Sequence, residues 1–312
     1  MAGTCLGASA MIAAGIDLGG TKIETQIFDA QWQLVDKRRV ATPDDYDTLV
    51  QEIAAQIAWV DARVGGQVPL GLCMPGLLDP HTDLAVTANL CAMGRPLSVD
   101  VNRAAGRGIP VINDCRALGL SEAIFGVGRG HSKVLSIILG TGIGGGLVVD
   151  GTVYTGPTTL AGEVGHMSAA AALICAHNLP VITCGCGHKG CVETYIAAAG
   201  LSALAQHFTG TAYTPQQIAA LRLSDPDVAK VWEVWCAITA EMLRDLSLAI
   251  DPDIIVLGGG LSNINGVAQD LSQALTAIQL GGFGAAPIRC AAGGDASGAR
   301  GAAYFATQGG GV

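Results

Sequence analysis

Short apolar runs alternate along the chain with apolar residues at helical spacing, which is the pattern of an α/β protein. In the first third, the short runs predict strands at residues 13–19, 24–29, 34–41, 68–73 and 110–112. The third run is polar enough for the edge of a sheet. Between these strands, residues 46–64 are predicted to form a helix with one apolar face: Leu49, Ile53, Ile57 and Val60.

The same pattern recurs in the second half of the chain. Strands are predicted at residues 133–139, 147–150 and 254–257, and a long helix at 228–250. Both halves open with a strand, a glycine turn and a second strand. This repetition predicts a duplicated α/β fold with a cleft between two lobes. We expect a small lobe, residues 1–112 completed by 299–312, and a large lobe, 113–298.

Composition narrows the class of protein. A net charge of −9 over 312 residues argues against general nucleic-acid binding, which needs a cationic surface. The N-terminus lacks a basic segment before its apolar stretch, and no run reaches the ~18 apolar residues of a membrane span. Ten cysteines without a secretion signal indicate reduced thiols in the cytoplasm. The first dozen residues are expected to be a disordered extension or an over-long start.

The first glycine turn, GIDLGGTK at 15–22, combines groups that suit a phosphate. Gly19 and Gly20 let backbone amides approach a ligand, and Thr21 and Lys22 add a hydroxyl and a cation. Asp17 could hold a hydrated magnesium ion. The P-loop spacing GxxxxGK[ST] is absent, and an ordinary hairpin turn is the alternative.

The second turn, GTGIGGG at 140–146, matches the dinucleotide pattern GxGxxG through Gly140, Gly142 and Gly145. That pattern requires a helix after the glycines, whereas LVVDGTVYTG predicts a strand, a turn and another strand. Two strand–glycine–strand hairpins favour a nucleotide phosphate held between two lobes over a Rossmann domain.

Together with VLGGGLS at 256–262, these motifs resemble those of sugar kinases of the ROK family, and the resemblance spans nearly the whole chain. It implies a ribonuclease-H-like, two-lobed fold of the actin and hexokinase superfamily, with ATP and Mg²⁺ as cofactors and a homodimeric assembly. The residues that would bind the nucleotide and its magnesium are Asp17, Gly19, Gly20, Thr21, Lys22, Gly140, Thr141, Gly142, Gly144, Gly258, Gly259 and Gly260.

Asn113 and Asp114 follow a predicted strand, so both would lie at its carboxyl end, facing the cleft. With the resemblance, Asp114 is the expected base that accepts a proton from the attacking hydroxyl. Without it, capping of a helix starting near Arg116 is the simpler role. The family pattern NDAN is interrupted here by Cys115 and Arg116.

The resemblance also implies a set of sugar-binding residues: Gly76, Asn89, Asn113, Asp114, Glu163, His166 and Glu193. Carboxylates and amides suit this role because each can bond two hydroxyls. The alternatives are a solvated charge on helix 192–199 for Glu193 and an ordinary loop position for Asn89.

Several stretches, TANLCAMGRPL among them, look most like bacterial N-acetylglucosamine kinases, and phosphorylation of that sugar to its 6-phosphate is the preferred function. A fructokinase or glucokinase of the same family is the alternative. A non-catalytic sugar sensor is more remote, because Asp17, Lys22 and Asp114 are all present. A DNA-binding repressor would need a further domain before Asp17.

The segment TCGCGHKGC at 183–191 could serve a disulfide, a redox pair or a metal. Three thiolates and one imidazole form a closed tetrahedral zinc site. The fourth ligand could be His166 or the nearer His188, and the resemblance favours His166 with Cys184, Cys186 and Cys191. A structural zinc ion there would hold the neighbouring Glu163 and Glu193 in the sugar pocket.

Overall fold

A computed structural model describes residues 11–294 and 297–309, and the chain divides into two compact units. Unit 1 consists of the described residues up to Ala117 and those of the segment Asp295–Val312, and unit 2 is Leu118–Gly294. Most of the predicted N-terminal extension lies outside the described residues, although Met11 and Ile12 belong to the first strand. Within the described ranges, no helix is long and apolar enough to cross a membrane.

Unit 1 is built on a five-stranded sheet in the order β3-β2-β1-β4-β7. Strands β3, β2 and β1 are antiparallel, and β1, β4 and β7 are parallel. Its elements up to the division are β1 (Met11–Leu18), β2 (Lys22–Asp29), β3 (Leu34–Ala41), α1 (Tyr46–Val64), β4 (Leu70–Met74), β5 (Leu77–Leu78), β6 (Ala85–Val86), α2 (Leu97–Ala105), β7 (Val111–Asn113) and α3 (Asp114–Phe125), which continues into unit 2.

Unit 2 repeats this plan in the order β10-β9-β8-β11-β12, with the same sequence of antiparallel and parallel pairs. The predicted duplicated α/β fold is therefore confirmed. The elements are β8 (Lys133–Leu139), β9 (Ile143–Val149), β10 (Thr152–Tyr154), a 3-10 helix (Val164–His166), α4 (Ala171–Ala176), α5 (Glu193–Ile196), α6 (Ala198–Thr209), α7 (Pro215–Leu221), α8 (Pro226–Ile250), β11 (Ile254–Gly258), a 3-10 helix (Gly260–Asn263), α9 (Val267–Ile278) and β12 (Ile288–Cys290).

The C-terminal helix α10 (Ser297–Thr307) returns to unit 1 and packs directly on the backbone of β1 and β4. A Cβ added to Gly15 would lie 1.8 Å from the carbonyl oxygen of Ala299. One added to Gly71 would lie 2.1 Å from that of Ala302. Glycine at these two positions is what allows the helix to approach so closely.

Two predicted boundaries are wrong for physical reasons. Strand β9 begins at Ile143, four residues earlier than predicted, because its glycines pair with β8, a contact that apolar spacing does not reveal. The helix predicted at 192–199 is interrupted at Ala197, whose extended backbone (ψ 169°) separates α5 from α6. By contrast, β3, α1 and β8 have the predicted bounds.

Candidate active site and metal centre

The turn between β1 and β2 is fixed at its base and exposed at its tip. The N–H of Gly19 donates to the carbonyl of Lys22 at 2.9 Å, and the Thr42 hydroxyl donates to the carbonyl of Gly19 at 2.7 Å. Gly20 and Thr21 are exposed, and a Cβ on Gly20 would lie 3.0 Å from the Asn89 carbonyl oxygen. The hydrogen bonds at Gly19 therefore fix the conformation of the turn, while the backbone of Gly20 and Thr21 at its tip is open to solvent.

Asp17 stands at the end of β1, where its carboxylate is mostly enclosed by protein. The Cys73 thiol donates to its Oδ1 at 3.3 Å. The pKa of Asp17 is raised to about 6, mainly by burial, with smaller contributions from Asp114 and Glu24, while the Cys73 hydrogen bond and Lys22 act in the opposite direction. Burial likewise raises the pKa of Cys73, so this thiol stays a donor at neutral pH.

Asp114 is the first residue of α3, and Asn113 holds it there. The Asn113 side chain donates from Nδ2 to Asp114 Oδ1 at 3.0 Å and to the Gly76 carbonyl at 3.0 Å. Its Oδ1 accepts the N–H groups of Cys115 at 2.9 Å and Arg116 at 3.2 Å. Asn113 thus provides the cap of α3 that the sequence alone assigned to Asp114.

Sequence analysis missed two neighbours of Asp17. Strand register pairs Asp17 with Cys73 on one side and with Glu24 on the other, so the three side chains share one face of the sheet. Glu24 is 3% exposed and forms an ion pair with Arg39. A charged residue inside an otherwise buried strand was the available signal for Glu24, whereas Cys73 offered none.

The two predicted nucleotide loops of unit 2 lie against each other. Gly259 has a left-handed backbone (φ 81°), and a Cβ there would lie 2.5 Å from the carbonyl oxygen of Leu139, at the end of β8. Gly140 closes its own turn by donating to the Gly142 carbonyl at 3.1 Å. Thr141 at the tip is exposed.

Glu193 links the glycine loop to the cysteine segment. Its Oε2 accepts the N–H of Ile143 at 3.1 Å, and its Oε1 accepts from the Cys184 thiol at 3.3 Å. His166 lies beside it, with Nδ1 3.9 Å from Glu193 Oε1 and Nε2 3.7 Å from Glu163 Oε2. Unit 2 therefore brings together the predicted sugar-binding residues Glu163, His166 and Glu193.

His166, Cys184, Cys186 and Cys191 form one cluster, whose potential ligand atoms all lie within 4.8 Å of one another. His166 turns Nδ1 toward Cys184 Sγ, at 3.6 Å. His188 is absent from this group among the described residues and instead accepts the Cys184 N–H with its carbonyl oxygen at 2.7 Å.

The chemistry of the cluster fits a zinc ion. Burial raises the pKa of Cys184 to about 12, whereas the N–H of His188 lowers the pKa of Cys186. A nearby dication would compensate the cost of ionising the buried thiol. Three sulfurs and one imidazole nitrogen are the donor set of a closed, structural zinc site.

The chain is similar to known sugar kinases over nearly its whole length. N-acetylgalactosamine kinase AgaK of Shewanella sp. (strain ANA-3) is 43% identical over 293 residues, covering 93% of this chain and 95% of that protein. N-acetyl-D-glucosamine kinase of Yersinia pseudotuberculosis serotype O:1b (strain IP 31758) is 37% identical over 296 residues, covering 93% and 97%. The crystal structure of a ROK hexokinase from Thermus thermophilus superposes with a TM-score of 0.83 at 29% identity, over 95% of this chain and 99% of that one. The ROK family model matches residues 13–309, and the chain therefore belongs to the ROK family.

Proposed function

We propose that this protein is an ATP-dependent kinase that phosphorylates the 6-hydroxyl of an N-acetylated hexosamine. The observation that carries the proposal is the placement of Asp114 in unit 1. Asn113 fixes this carboxylate at the start of α3, and it is close enough to Asp17 in the phosphate turn to raise that residue's pKa.

Asp17 fits a magnesium ion by its charge and its burial. Its carboxylate is largely removed from water and close to a second carboxylate, Asp114, so the charged form is less stable than in a free aspartate and a bound cation would stabilise it. Asp17 would hold the ion, with Lys22 and the amides of Gly19 and Gly20 binding phosphate oxygens. When bound, Mg²⁺ neutralises negative charge on the phosphates of ATP.

Asp114 accepts the proton of the sugar hydroxyl as the hydroxyl oxygen forms its bond to the γ-phosphorus. The bond from that phosphorus to the β–γ bridging oxygen breaks, and ADP leaves with the electron pair. Asn113 keeps the carboxylate aligned for this transfer by donating to Oδ1. A base placed in this way contributes about 10²- to 10⁴-fold in rate.

Unit 2 would supply the remaining contacts. Gly140, Thr141, Gly142 and Gly144 are proposed to bind phosphate, and Gly258–Gly260 to let adenine approach the backbone. Glu163, His166 and Glu193 are proposed to bind sugar hydroxyls, and so are Gly76 and Asn89. Asn113 is less available to a sugar than these residues are, because its amide already makes four hydrogen bonds inside the protein.

A zinc ion held by His166, Cys184, Cys186 and Cys191 would have a structural role. With Nδ1 bound to the metal, the proton of the imidazole must sit on Nε2, the nitrogen that faces Glu163. The ring would then be a fixed hydrogen-bond donor toward a sugar hydroxyl. Four protein ligands would leave no position for a reacting water, so a zinc ion held there would take no part in phosphoryl transfer.

Two epimeric sugars are candidates. The motifs quoted from the sequence favour N-acetylglucosamine, whereas the higher identity of 43% to an N-acetylgalactosamine kinase favours its C4 epimer. A coupled ADP-release assay with ATP and Mg²⁺ should compare both with N-acetylmannosamine, glucose and fructose. We expect the highest kcat/KM with one of the first two. No turnover of any hexose by metal-replete protein would overturn the proposal.

We also propose a cytoplasmic homodimer that does not bind nucleic acid. Among the described residues, no two of the nine cysteines are joined by a disulfide, as a reducing compartment would leave them. The dimer is an expectation from the family, and light scattering on the purified protein tests it.

A further inference from the structure

Two residues with no assigned role, Cys73 and Gly298, border the carboxylate of Asp17. Cys73 lies on β4, in direct parallel register with Asp17 on β1, so both side chains project from the same face of the sheet. The Cys73 side chain is fully buried, and its thiol donates to Asp17 Oδ1 at 3.3 Å. This hydrogen bond restricts rotation of the carboxylate about its Cβ–Cγ bond.

Gly298 lies at the other oxygen, in the first turn of α10. A Cβ on this residue would lie 2.6 Å from Asp17 Oδ2 and 2.8 Å from Asp17 Cγ. Gly298 does not have the left-handed backbone that favours glycine, so its backbone conformation does not explain a glycine here. The Asp17 carboxylate explains the glycine, because it occupies the space that a side chain at position 298 would need.

We propose that Cys73 and Gly298 are positioning residues for Asp17: the thiol fixes one carboxylate oxygen, and the missing side chain leaves room for the other. The inference rests on the proposed function, in which Asp17 holds the magnesium of MgATP. Neither residue touches the substrate in this proposal, and each acts through the orientation of Asp17.

The thiol is tested by Cys73→Ala and Cys73→Ser. We expect Cys73→Ala to lower kcat several-fold and to raise the Mg²⁺ concentration needed for half-maximal rate, with the KM for sugar unchanged. Cys73→Ser restores a donor and should recover most of both losses. Calorimetric titration with Mn²⁺ and the non-hydrolysable analogue AMP-PNP supplies a readout that is independent of turnover, and only the alanine variant should bind more weakly.

The missing side chain is tested by Gly298→Ala, with Gly281→Ala as the matched control, because a Cβ at Gly281 meets no atom within 4 Å. A carboxylate displaced by about 1 Å costs on the order of 100-fold in rate. We therefore expect Gly298→Ala to lose about that factor in kcat while its melting temperature is maintained, and the control to match the wild type.

The outcomes separate this inference from the proposed function. A wild-type protein that phosphorylates no sugar removes the function, and the AMP-PNP titrations still decide whether Asp17 depends on its neighbours. An active wild type with unchanged kcat, Mg²⁺ dependence and AMP-PNP affinity in both Cys73→Ala and Gly298→Ala overturns the inference. If Gly298→Ala fails to fold, the pair of Cys73 variants decides.

Discussion

Asn113 donates a hydrogen bond from its side-chain amide to Oδ1 of Asp114 at 3.0 Å, and the same amide also donates to the Gly76 carbonyl. Its oxygen is occupied by the N–H groups of Cys115 and Arg116. A primary amide has two donors and two acceptor sites, so all four are used inside the protein. Asn113 therefore connects the proposed base, the helix that carries it and the Gly76 loop.

Asn113→Asp should lower both activity and stability. The new carboxylate cannot donate to Asp114 or Gly76, and it places a like charge beside the proposed base. We expect kcat to fall at least tenfold and the melting temperature to drop by several degrees. Asn102→Asp is the control, because the side-chain oxygen of Asn102 accepts the Ile109 N–H at 2.7 Å and aspartate keeps that acceptor. Equal behaviour of the two variants would contradict the role of Asn113.

Asp114→Asn should abolish most turnover in a folded protein. The amide is nearly isosteric with the carboxylate but cannot take the hydroxyl proton, so we expect kcat to fall by about 10²- to 10⁴-fold. Steady-state assays and a melting curve measure the two effects separately. Asp100→Asn changes another aspartate of unit 1 and should retain activity. A nearly normal kcat in Asp114→Asn would remove this residue from its role.

Cys186→Ser should release the metal and weaken sugar binding. One ligand of the four is lost, and His166 is then free to rotate away from Glu163. We expect about one zinc per wild-type chain by elemental analysis, much less in the variant, and a KM for sugar raised at least tenfold. Cys175→Ser removes an exposed cysteine outside the cluster and should match the wild type. Full zinc content with normal KM in Cys186→Ser would refute the site.

The raised pKa of Asp17 predicts a pH-dependent stability in the absence of ligands. The unfolded chain ionises this carboxyl from about pH 4 upward, whereas the folded chain retains the proton until its pKa of about 6. The unfolded state thus binds fewer protons across this window, and the contribution of Asp17 to the free energy of unfolding falls as pH rises.

Asp17→Asn cannot ionise and removes this effect, along with activity. The free energy of unfolding of the variant, relative to wild type, should rise by about 1 kcal/mol between pH 5 and pH 7.5. Urea unfolding without nucleotide or magnesium at the two pH values measures the difference. A gap between variant and wild type that is the same at both pH values would show that Asp17 ionises normally in the fold.

Glu122→Ala should destabilise unit 2 without touching the site residues. This fully buried carboxylate accepts the backbone N–H groups of Val127, Ala292 and Gly293 at 2.9–3.1 Å. Removing this acceptor leaves three buried N–H donors without it, which should lower the free energy of unfolding by on the order of 3 kcal/mol. Glu233→Ala is the control, since its side chain is 71% exposed and its pairing with Lys230 contributes about 1 kcal/mol or less. Equal melting temperatures of the two variants would contradict this role of Glu122.

Local sequence patterns predicted the longest elements that depend on side chains, but not the shorter amphipathic helices α2, α6, α7 and α9. The helix Tyr46–Val64 has four apolar residues at helical spacing, and the strand Lys133–Leu139 is a continuous apolar run. Elements formed by glycine or by short loops were missed, as in the first residues of Ile143–Val149. There the backbone pairing is decisive, and glycine carries no apolar signal.

In the candidate site, too, local sequence patterns revealed some residues and missed others. Asp17 and Asp114 could be proposed because each lies at the end of a predicted strand and because the resemblance to ROK kinases gives Asp114 the role of base. Cys73 and Gly298 could not, because their contacts with Asp17 arise from the register of β4 and from a helix about 280 residues further along the chain. Such contacts exist only once the chain has folded.

Some residues without any chemical role should tolerate mutation as poorly as the proposed catalytic residue does. Gly15 and Gly71 have no reactive group, yet any side chain there would push away α10, the helix whose first turn borders Asp17. In a saturation library screened for sugar phosphorylation, these two glycines should be as intolerant as Asp114. A library intended to change sugar preference is therefore better directed at the loops around Asn89 and Glu163 than at the packed glycines beneath α10.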